Sequence, residues 1–400
     1  MANIEKKLKI WLEQGLISAE QLQSISQYEE VSASDNSSSW WLYSLLILGT
    51  SIIGLGIISL IAANWALIPD LLKLAADFLL LAVLAVGIFY HYGKPQSRWL
   101  DALICGFIVL CLATIGLIAQ IYQLSGHWYH ALLLWSAITL PIVLFARQLF
   151  IYFLWATLFL HACVWSGVSF ASGDITQAHE KIPALFLFSP LLAATCYSLT
   201  QISQPLKHFQ SSFFFWFQVS GLIALVVIDV MRSGGEMREY ELAWYIPAYI
   251  SAAILTIIIL IRPDYKALNK SLLIGIIVLL LLYYHPYILF DGNTRYGYDA
   301  LQQGNSATFW TADDIRAPFL TIFILFLYAT HAGNSGHHKT FNLITFLIGL
   351  RFVILYFQAM GGLAATGVGL IMSGLMIIGI AWFWYKSRGR LRRWSEELHE

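Results

Sequence analysis

Charged side chains are scarce in this sequence. Asp, Glu, Lys and Arg make up only 12% of its 400 residues, whereas soluble domains carry about a quarter. Hydrophobic residues make up 58%, and the mean hydropathy is +0.69. These values exclude a soluble globular enzyme and a disordered chain. The 23 basic and 23 acidic side chains cancel, so no global field would attract nucleic acid, and we expect no nucleic-acid partner.

Cysteine frameworks and the common catalytic motifs are also lacking. The four cysteines lie within apolar blocks and none has CxxC spacing, so the sequence indicates no disulfide framework, structural zinc or redox dithiol. Nucleotide-binding, HExxH and GxSxG motifs are missing as well. His331, His337 and His338 are predicted in one surface loop, without the companions of a zinc motif. We therefore expect no enzyme, no cofactor and no metal site.

Apolar runs long enough to cross a bilayer, about 20 residues each, are abundant. They predict an all-α fold, a polytopic transmembrane helix bundle of about twelve spans. A break is required after the fourth block, which contains Pro141, because an unbroken helix of about forty residues would measure about 60 Å. The twelve blocks are residues 42–63, 71–92, 100–122, 131–146, 149–170, 183–202, 213–231, 244–261, 271–290, 317–331, 341–358 and 361–385.

The first forty residues differ from the rest in their pattern. Apolar residues at helical spacing, a helix stop at Gly15 and the capping-box pattern Ser18-Ala-Glu-Gln21 predict a small helical hairpin. The chain then divides into a cytoplasmic hairpin (1–31), a Ser/Asn-rich linker (32–39), the transmembrane bundle (40–385) and a basic-then-acidic cytoplasmic tail (386–400). The hairpin is a candidate docking site for a cytoplasmic protein, and the bundle contacts membrane lipids.

The basic residues are distributed unequally between alternate loops. Counting from the N-terminus, one set of loops and tails holds sixteen Lys and Arg residues and the other set holds six. Because cytoplasmic loops carry the excess of Lys and Arg, both termini are predicted in the cytoplasm. Miscounting one helix would remove this asymmetry, so it supports twelve spans.

Several stretches are similar to a known family. They are residues 11–21 (WLEQGLISAEQ), 61–69 (IAANWALIP) with Lys73, and 118–126 (IAQIYQLSG) with Trp135. Over about residues 5–148 the chain resembles bacterial predicted membrane proteins of the domain of unknown function 2157 family. Arg351-Phe352 and the Gly-rich last block resemble the end of the same or a related family. The resemblance implies a multi-pass topology and the bacterial inner membrane, and no activity.

Arg351 is the residue of the predicted bundle whose burial in the membrane costs the most free energy. It lies near the middle of the block 341–358, where a charge is expensive and marks a candidate functional site. Asp77 is the first candidate for its partner, and Asp229 is the second. A structural ion pair that holds the bundle together and a substrate-binding or water-filled pocket are both compatible with this position.

Other polar residues lie at one predicted depth, in the outer half of the bundle. If their helices adjoin, they form an outward-facing polar pocket around Arg351; alternatively, they are polar because the interface is wet. Together with Arg351, Asp77 and Asp229, the candidates for substrate binding or gating are Asn64, Gln120, Gln123, His285 and Gln358.

Three hypotheses for function remain open. The leading one is a transporter or flippase-like protein, because of the many spans and the polar residues within them. The alternative is a non-catalytic membrane scaffold or envelope sensor that acts through the N-terminal hairpin. A membrane enzyme would have to use the acidic loop 291–316, for which an ordinary solvated loop is the simpler interpretation.

Overall fold

A computed structural model confirms an all-α polytopic helix bundle. No strand occurs among the residues that it describes. The chain divides into two compact units, residues 1–77 and 78–400. The structure describes residues 65–93, 99–172, 181–233, 241–263, 265–285, 288–289 and 316–360, and isolated residues within 11–25, 45–52 and 371–382.

Ten α-helices lie in this described part of the chain, at ten of the twelve predicted blocks. The linker, the tail and the loop 291–315 lie outside the described residues, as do the first and last blocks apart from isolated positions. The helices are α1 (Asp70–Tyr92), α2 (Trp99–Ile121), α3 (Trp128–Val143), α4 (Leu149–Ser172), α5 (Ile182–Ile202), α6 (Gln210–Ser233), α7 (Ile246–Ile261), α8 (Ala267–Tyr284), α9 (Arg316–Asn334) and α10 (His338–Met360).

Nine of these described helices, all except α3, are long and apolar enough to cross a membrane, α7 when it is counted together with the 3-10 turn Leu242–Tyr245 that precedes it, as a span of 20 residues. With 16 residues, α3 measures only about 24 Å, which is less than the hydrocarbon core of about 30 Å. The nine helices confirm a polytopic membrane protein. Twelve spans would require α3 and the first and last blocks in addition.

The predicted break between the fourth and fifth blocks is confirmed, since α3 ends at Val143 and α4 begins at Leu149. Oδ1 of Asp101, in the first turn of α2, accepts hydrogen bonds from the backbone N–H groups of Arg147 (2.7 Å) and Gln148 (3.2 Å). These N–H groups have no partner within their own helix, and a carboxylate there also complements the helix dipole. Asp101 therefore fixes where α4 begins.

Removing this cap should destabilise the bundle measurably. We expect Asp101→Ala to lower the free energy of unfolding by about 1 kcal/mol, the usual cost of losing a helix cap. The check is an unfolding titration in mixed micelles. Asp101→Asn is the matched control, because its amide oxygen can still accept both hydrogen bonds. Equal losses in the two variants would contradict a capping role.

Within the first unit, the described residues of the predicted hairpin have the local hydrogen bonds and backbone conformation that the sequence indicates. The backbone N–H of Ser18 donates to Oε1 of Gln21 (2.9 Å), and the N–H of Gln21 donates to Oγ of Ser18 (3.2 Å). Gly15 has a φ of +70°, a left-handed conformation that glycine adopts without strain. The capping box and the helix stop are therefore confirmed.

The second unit is organised around two hydrophobic clusters. One includes Trp135 and Trp155 and takes its residues from the helices α2 to α6; the other includes Leu225 and Tyr284 and takes its residues from the helices α4 to α10. Large apolar side chains such as Phe170 (95% exposed) remain on the outside. An apolar exterior of this kind is suited to contact with lipid tails.

The connections between consecutive helices divide this unit into two ends. We call one the basic end: it contains residues 144–148, 203–209, 262–266 and 335–337, where α3 meets α4, α5 meets α6, α7 meets α8 and α9 meets α10. At the opposite end α6 and α8 finish, at Ser233 and Tyr284.

Candidate functional site

Arg351 forms a buried ion pair with Asp229. Nε of Arg351 lies 2.6 Å from Oδ2 of Asp229, and Nη2 donates a 3.0 Å hydrogen bond to Oδ1. The two side chains are 7% and 6% exposed, and the pair joins α10 to α6. Two-point contact between a guanidinium and a carboxylate is both strong and directional.

Two neighbouring side chains complete this pair. Nη1 of Arg351 donates to Oε1 of Gln358 (2.9 Å), two turns further along α10. Oγ of Ser233, one turn after Asp229 on α6, lies 3.5 Å from Oδ1 of the carboxylate. Gln358 and Ser233 are themselves buried. These contacts explain how α10 carries an arginine, because a charge in the membrane needs partners.

Arg232, the third buried charge here, caps the C-terminal end of α8. Its Nε and Nη2 donate to the carbonyl oxygen of Tyr283 (3.3 and 3.1 Å), and Nη2 also donates to that of His285 (2.7 Å). A cation at this end satisfies carbonyls that lack a helical partner and complements the helix dipole. Burial, together with the Arg232 guanidinium, lowers the pKa of His285, so its imidazole is neutral at pH 7.

Two fully buried tyrosines connect α8 to its neighbours. The hydroxyl of Tyr283 donates to the carbonyl of Ala317 (3.0 Å) and lies 3.0 Å from Oγ1 of Thr321. The hydroxyl of Tyr284 donates to the carbonyl of Ala224 (2.6 Å). These contacts tie α8 to α9 and α6. We call the following residues the polar plug: Asp229, Arg232, Tyr283, Tyr284 and Arg351.

A cavity of about 500 Å³ lies between α5, α6, α7, α8, α9 and the start of α10. This volume falls within the range of small-molecule sites, about 300–1,000 Å³. Its floor is apolar and includes Leu225, Leu255, Leu280 and Ile324. Polar residues form its rim at the basic end, namely Gln201, Gln218, Tyr265, Lys266, Asn269, His331, Asn334, Ser335, His337 and Thr340.

The cavity opens at the basic end. Lys266 and His337, which line it there, are exposed to solvent. The polar plug lies beyond the floor: Asp229 is four residues past Leu225 on α6, and Tyr284 is four residues past Leu280 on α8. Four residues of helix span about 6 Å. The paired charges and tyrosines of the plug thus close the end opposite the opening.

Part of the rim is hydrogen-bonded across helices. Nε2 of Gln218 donates to Oγ1 of Thr340 (3.1 Å), and Nδ2 of Asn334 donates to Oδ1 of Asn269. Oδ1 of Asn334 and Nδ1 of His331 are buried without a hydrogen-bond partner among the described residues. Because a buried polar atom without a partner is costly, these two atoms mark where a bound molecule would form favourable hydrogen bonds.

The structure brings together three of the predicted site residues, Arg351, Asp229 and Gln358. The partner of Arg351 is the second candidate, Asp229, and both charges belong to the second unit. Asp77, the first candidate, ends the first unit; it is half-buried on α1, and its Oδ2 has no hydrogen-bond partner among the described residues. Counting depth along each block cannot decide which helices adjoin.

None of the predicted site residues that the structure describes lines the cavity. Gln120 and Gln123 are exposed, at the end of α2 and just after it. His285 contributes its backbone carbonyl to the plug, and Asn64 lies outside the described residues. Around Arg351 the described polar groups are buried and paired. The sequence predicts a pocket that opens outward from Arg351, whereas the cavity lies between the Asp229–Arg351 pair and the basic end.

Sequence reasoning missed the rim of the cavity. The prediction of a loop at His331 is wrong, because α9 continues to Asn334 and only residues 335–337 separate it from α10. Asn269 and Asn334 are amides within the first or last turn of their helices, a weak signal that resembles ordinary interface polarity. In the described residues, no three His, Cys, Asp or Glu side chains converge as a metal site.

The comparisons with known proteins concern the N-terminal third of the chain. A family described as "Predicted membrane protein (DUF2157)" matches residues 9–152. No curated protein and no solved structure matches the chain. The cavity and the polar plug, and with them Arg351-Phe352, lie outside the matched residues. The predicted resemblance is thus confirmed over residues 9–152, where the chain is similar to this family of predicted membrane proteins.

Proposed function

We propose that this protein is a transporter or flippase-like protein of the bacterial inner membrane. The observation that carries the proposal is a cavity inside an apolar helix bundle, open at one end and closed at the other by buried charges. Sites near the middle of a membrane bundle, with one gate closed and one open, are what alternating access requires. The hydrogen bonds and the ion pair of the polar plug support a closed gate, since each of its charges has a partner.

The orientation follows from the loop charges. The basic end contains Arg147, Lys207, Arg262 and Lys266, so the positive-inside rule assigns it to the cytoplasm. The cavity then faces the cytoplasm, and the polar plug closes the periplasmic side. Transport would require the Asp229–Arg351 pair to separate while the rim closes.

The hairpin supports a second candidate, a scaffold or envelope sensor. Trp11, Leu12 and Ile25 are 43%, 39% and 37% exposed there, and exposed apolar side chains of this kind can contact a partner or the membrane surface. Deleting residues 1–38 separates the two functions: a scaffold loses its function while insertion is preserved, whereas a transporter retains flux.

Filling the cavity should stop transport. A Cβ at Gly221, which lines the cavity on α6, would lie 3.8 Å from Cβ of Pro190, an ordinary contact; the rest of a leucine would occupy the cavity. In proteoliposomes with a fluorescent lysophosphatidylglycerol, we expect wild type to move inner-leaflet label to the outer leaflet, where dithionite bleaches it. Gly221→Leu should slow this at least about tenfold, as expected when a binding site is occluded.

Gly275→Leu is the matched control. It adds the same side chain to α8 at a position that does not line the cavity and where a Cβ meets nothing within 4 Å. This variant should move label at the wild-type rate. If wild type bleached no more label than protein-free liposomes did, or if Gly221→Leu matched wild type, lipid movement through this cavity would be excluded.

A further inference from the structure

We infer that the cavity binds an anionic amphiphile with a hydroxyl-bearing head group, with its single apolar tail on the floor and its head at the rim. This inference rests on the proposed function, because it takes the cavity to be the substrate site. It adds the chemical class of the substrate, which follows from three separate features of the lining.

The floor accounts for the tail. Leu225, Leu280 and Ile324 are at most 8% exposed and come from three different helices. A small polar solute would gain little free energy from contact with this apolar surface. An alkyl chain would contact the whole surface, and its binding would become more favourable with each buried methylene group. The cavity is enclosed by helices, so it offers a tail a path that is separate from the surrounding lipid.

The unpartnered atoms at the rim account for the hydroxyl groups. Asn334 is 1% exposed, and its Oδ1 is an acceptor without a donor among the described residues. Nδ1 of His331, three residues earlier on α9, can donate or accept according to its tautomer. A hydroxyl group matches both atoms because it donates and accepts. A purely apolar molecule would leave both atoms unsatisfied.

The charge at the basic end accounts for the anion. Residues 203–209, 262–270 and 335–340 contain five Lys or Arg residues and a single acidic residue, Asp264. Lys266 and His337 line the opening itself, and the described residues that line the cavity include no Asp or Glu. Basic pockets between transmembrane helices favour anionic head groups. A cationic or zwitterionic head group would bind less favourably here.

Photo-crosslinking tests this assignment without requiring transport. The probe is a lysophosphatidylglycerol with a diazirine at the end of its acyl chain, and the protein is the full chain in phosphatidylcholine nanodiscs. We expect crosslinks on the peptides of α6, α8 or α9 that carry Leu225, Leu280 or Ile324. Unlabelled lysophosphatidylglycerol should compete at least about tenfold better than lysophosphatidylcholine with the same tail. Glycerol phosphate, which has no tail, should not compete in the same concentration range.

Asn334→Leu tests the head-group contacts. It should weaken competition by lysophosphatidylglycerol about tenfold, as expected for the loss of one or two hydrogen bonds to a buried site. Asn342→Leu is the matched control: it makes the same change on α10, at the same end, at a residue that does not line the cavity. Gly221→Leu should remove the floor crosslinks even if Asn334→Leu fails to fold.

The outcomes separate this inference from the proposed function. Crosslinks confined to the lipid-facing surface, or equal competition by the choline lipid, would overturn the amphiphile site. Specific floor crosslinks without lipid movement in proteoliposomes would support the site and overturn the transporter. Lipid movement that Gly221→Leu abolishes, without the head-group preference, would support the transporter and overturn the assignment of an anionic substrate.

Discussion

Arg351→Gln is expected to lower the free energy of unfolding by about 3–5 kcal/mol, because Asp229 would remain buried without its counter-charge. The carboxylate is 6% exposed and contacts both Nη2 and Nε of the guanidinium. Losing an ordinary hydrogen bond between membrane helices costs far less, on average about 0.6 kcal/mol. The size of the effect therefore distinguishes a buried ion pair from a simple polar contact.

An unfolding titration in mixed micelles measures this loss. Arg316→Gln is the matched control, since it makes the same substitution at an exposed arginine at the start of α9. Surface changes of this kind usually stay within about 0.5 kcal/mol. A loss below about 1 kcal/mol for Arg351→Gln would mean that the pair is hydrated, and its assignment as a buried plug would be incorrect.

The double variant Asp229→Asn/Arg351→Gln separates a structural ion pair from a gate. Removing both charges removes the penalty of an unpaired ion, so most of the stability lost in Arg351→Gln should return. If the pair only holds the bundle together, flux in the double variant should equal that of wild type. If the pair is a gate, stability should return while flux changes.

The positions of the helices could be predicted from the sequence because each apolar run is decided locally. About 20 consecutive apolar residues in lipid must form a helix to satisfy their own backbone. The break before Leu149 was likewise predictable, because one unbroken helix through both apolar blocks would be too long for the bilayer. The end of α9 was less so: polar residues after His331 suggested a loop, whereas α9 continues to Asn334 and a tight turn at Gly336 follows.

The site itself was predictable only in part, because it depends on which helices adjoin. Arg351 could be identified because a charge in the membrane is costly wherever it lies. Its partner Asp229 is 122 residues away in sequence, and nothing local ranks it above another carboxylate at similar depth. The floor of the cavity could not be predicted, because the sequence does not distinguish Leu280 from a leucine that faces lipid.

In the proposed transporter, the cavity and the polar plug are the open end and the closed gate of one transport pathway. The plug is built from strong, directional contacts between α6, α8 and α10, whereas the rim at the other end has polar atoms that still lack partners. A bound molecule can therefore stabilise rim closure by hydrogen bonding to those atoms. The free energy needed to separate the plug would then have to be offset by the interactions of the bound molecule with the closed rim.

Side-dependent labelling of a cysteine in the cavity tests this device without knowledge of the substrate. In a chain whose four native cysteines are replaced, Ser198→Cys places a thiol in the cavity wall on α5, one turn inside the basic end. A membrane-impermeant thiol reagent added at the basic end should label it readily. The same reagent at the opposite end should label it only through the minor state in which the plug is open.

Breaking the Asp229–Arg351 pair should greatly raise the rate at which the thiol is labelled from the opposite end. If leaving Asp229 buried without its counter-charge costs about 3 kcal/mol in the closed state, the single variant Arg351→Gln should speed labelling of the Ser198→Cys thiol from the opposite end about 100-fold. Labelling from the basic end should change little, because that end is already open. Ala248→Cys, two residues after the start of α7 at the opposite end, is the positional control and should stay protected from the basic end. Equal labelling from both sides before the pair is broken would show that the plug is not a barrier.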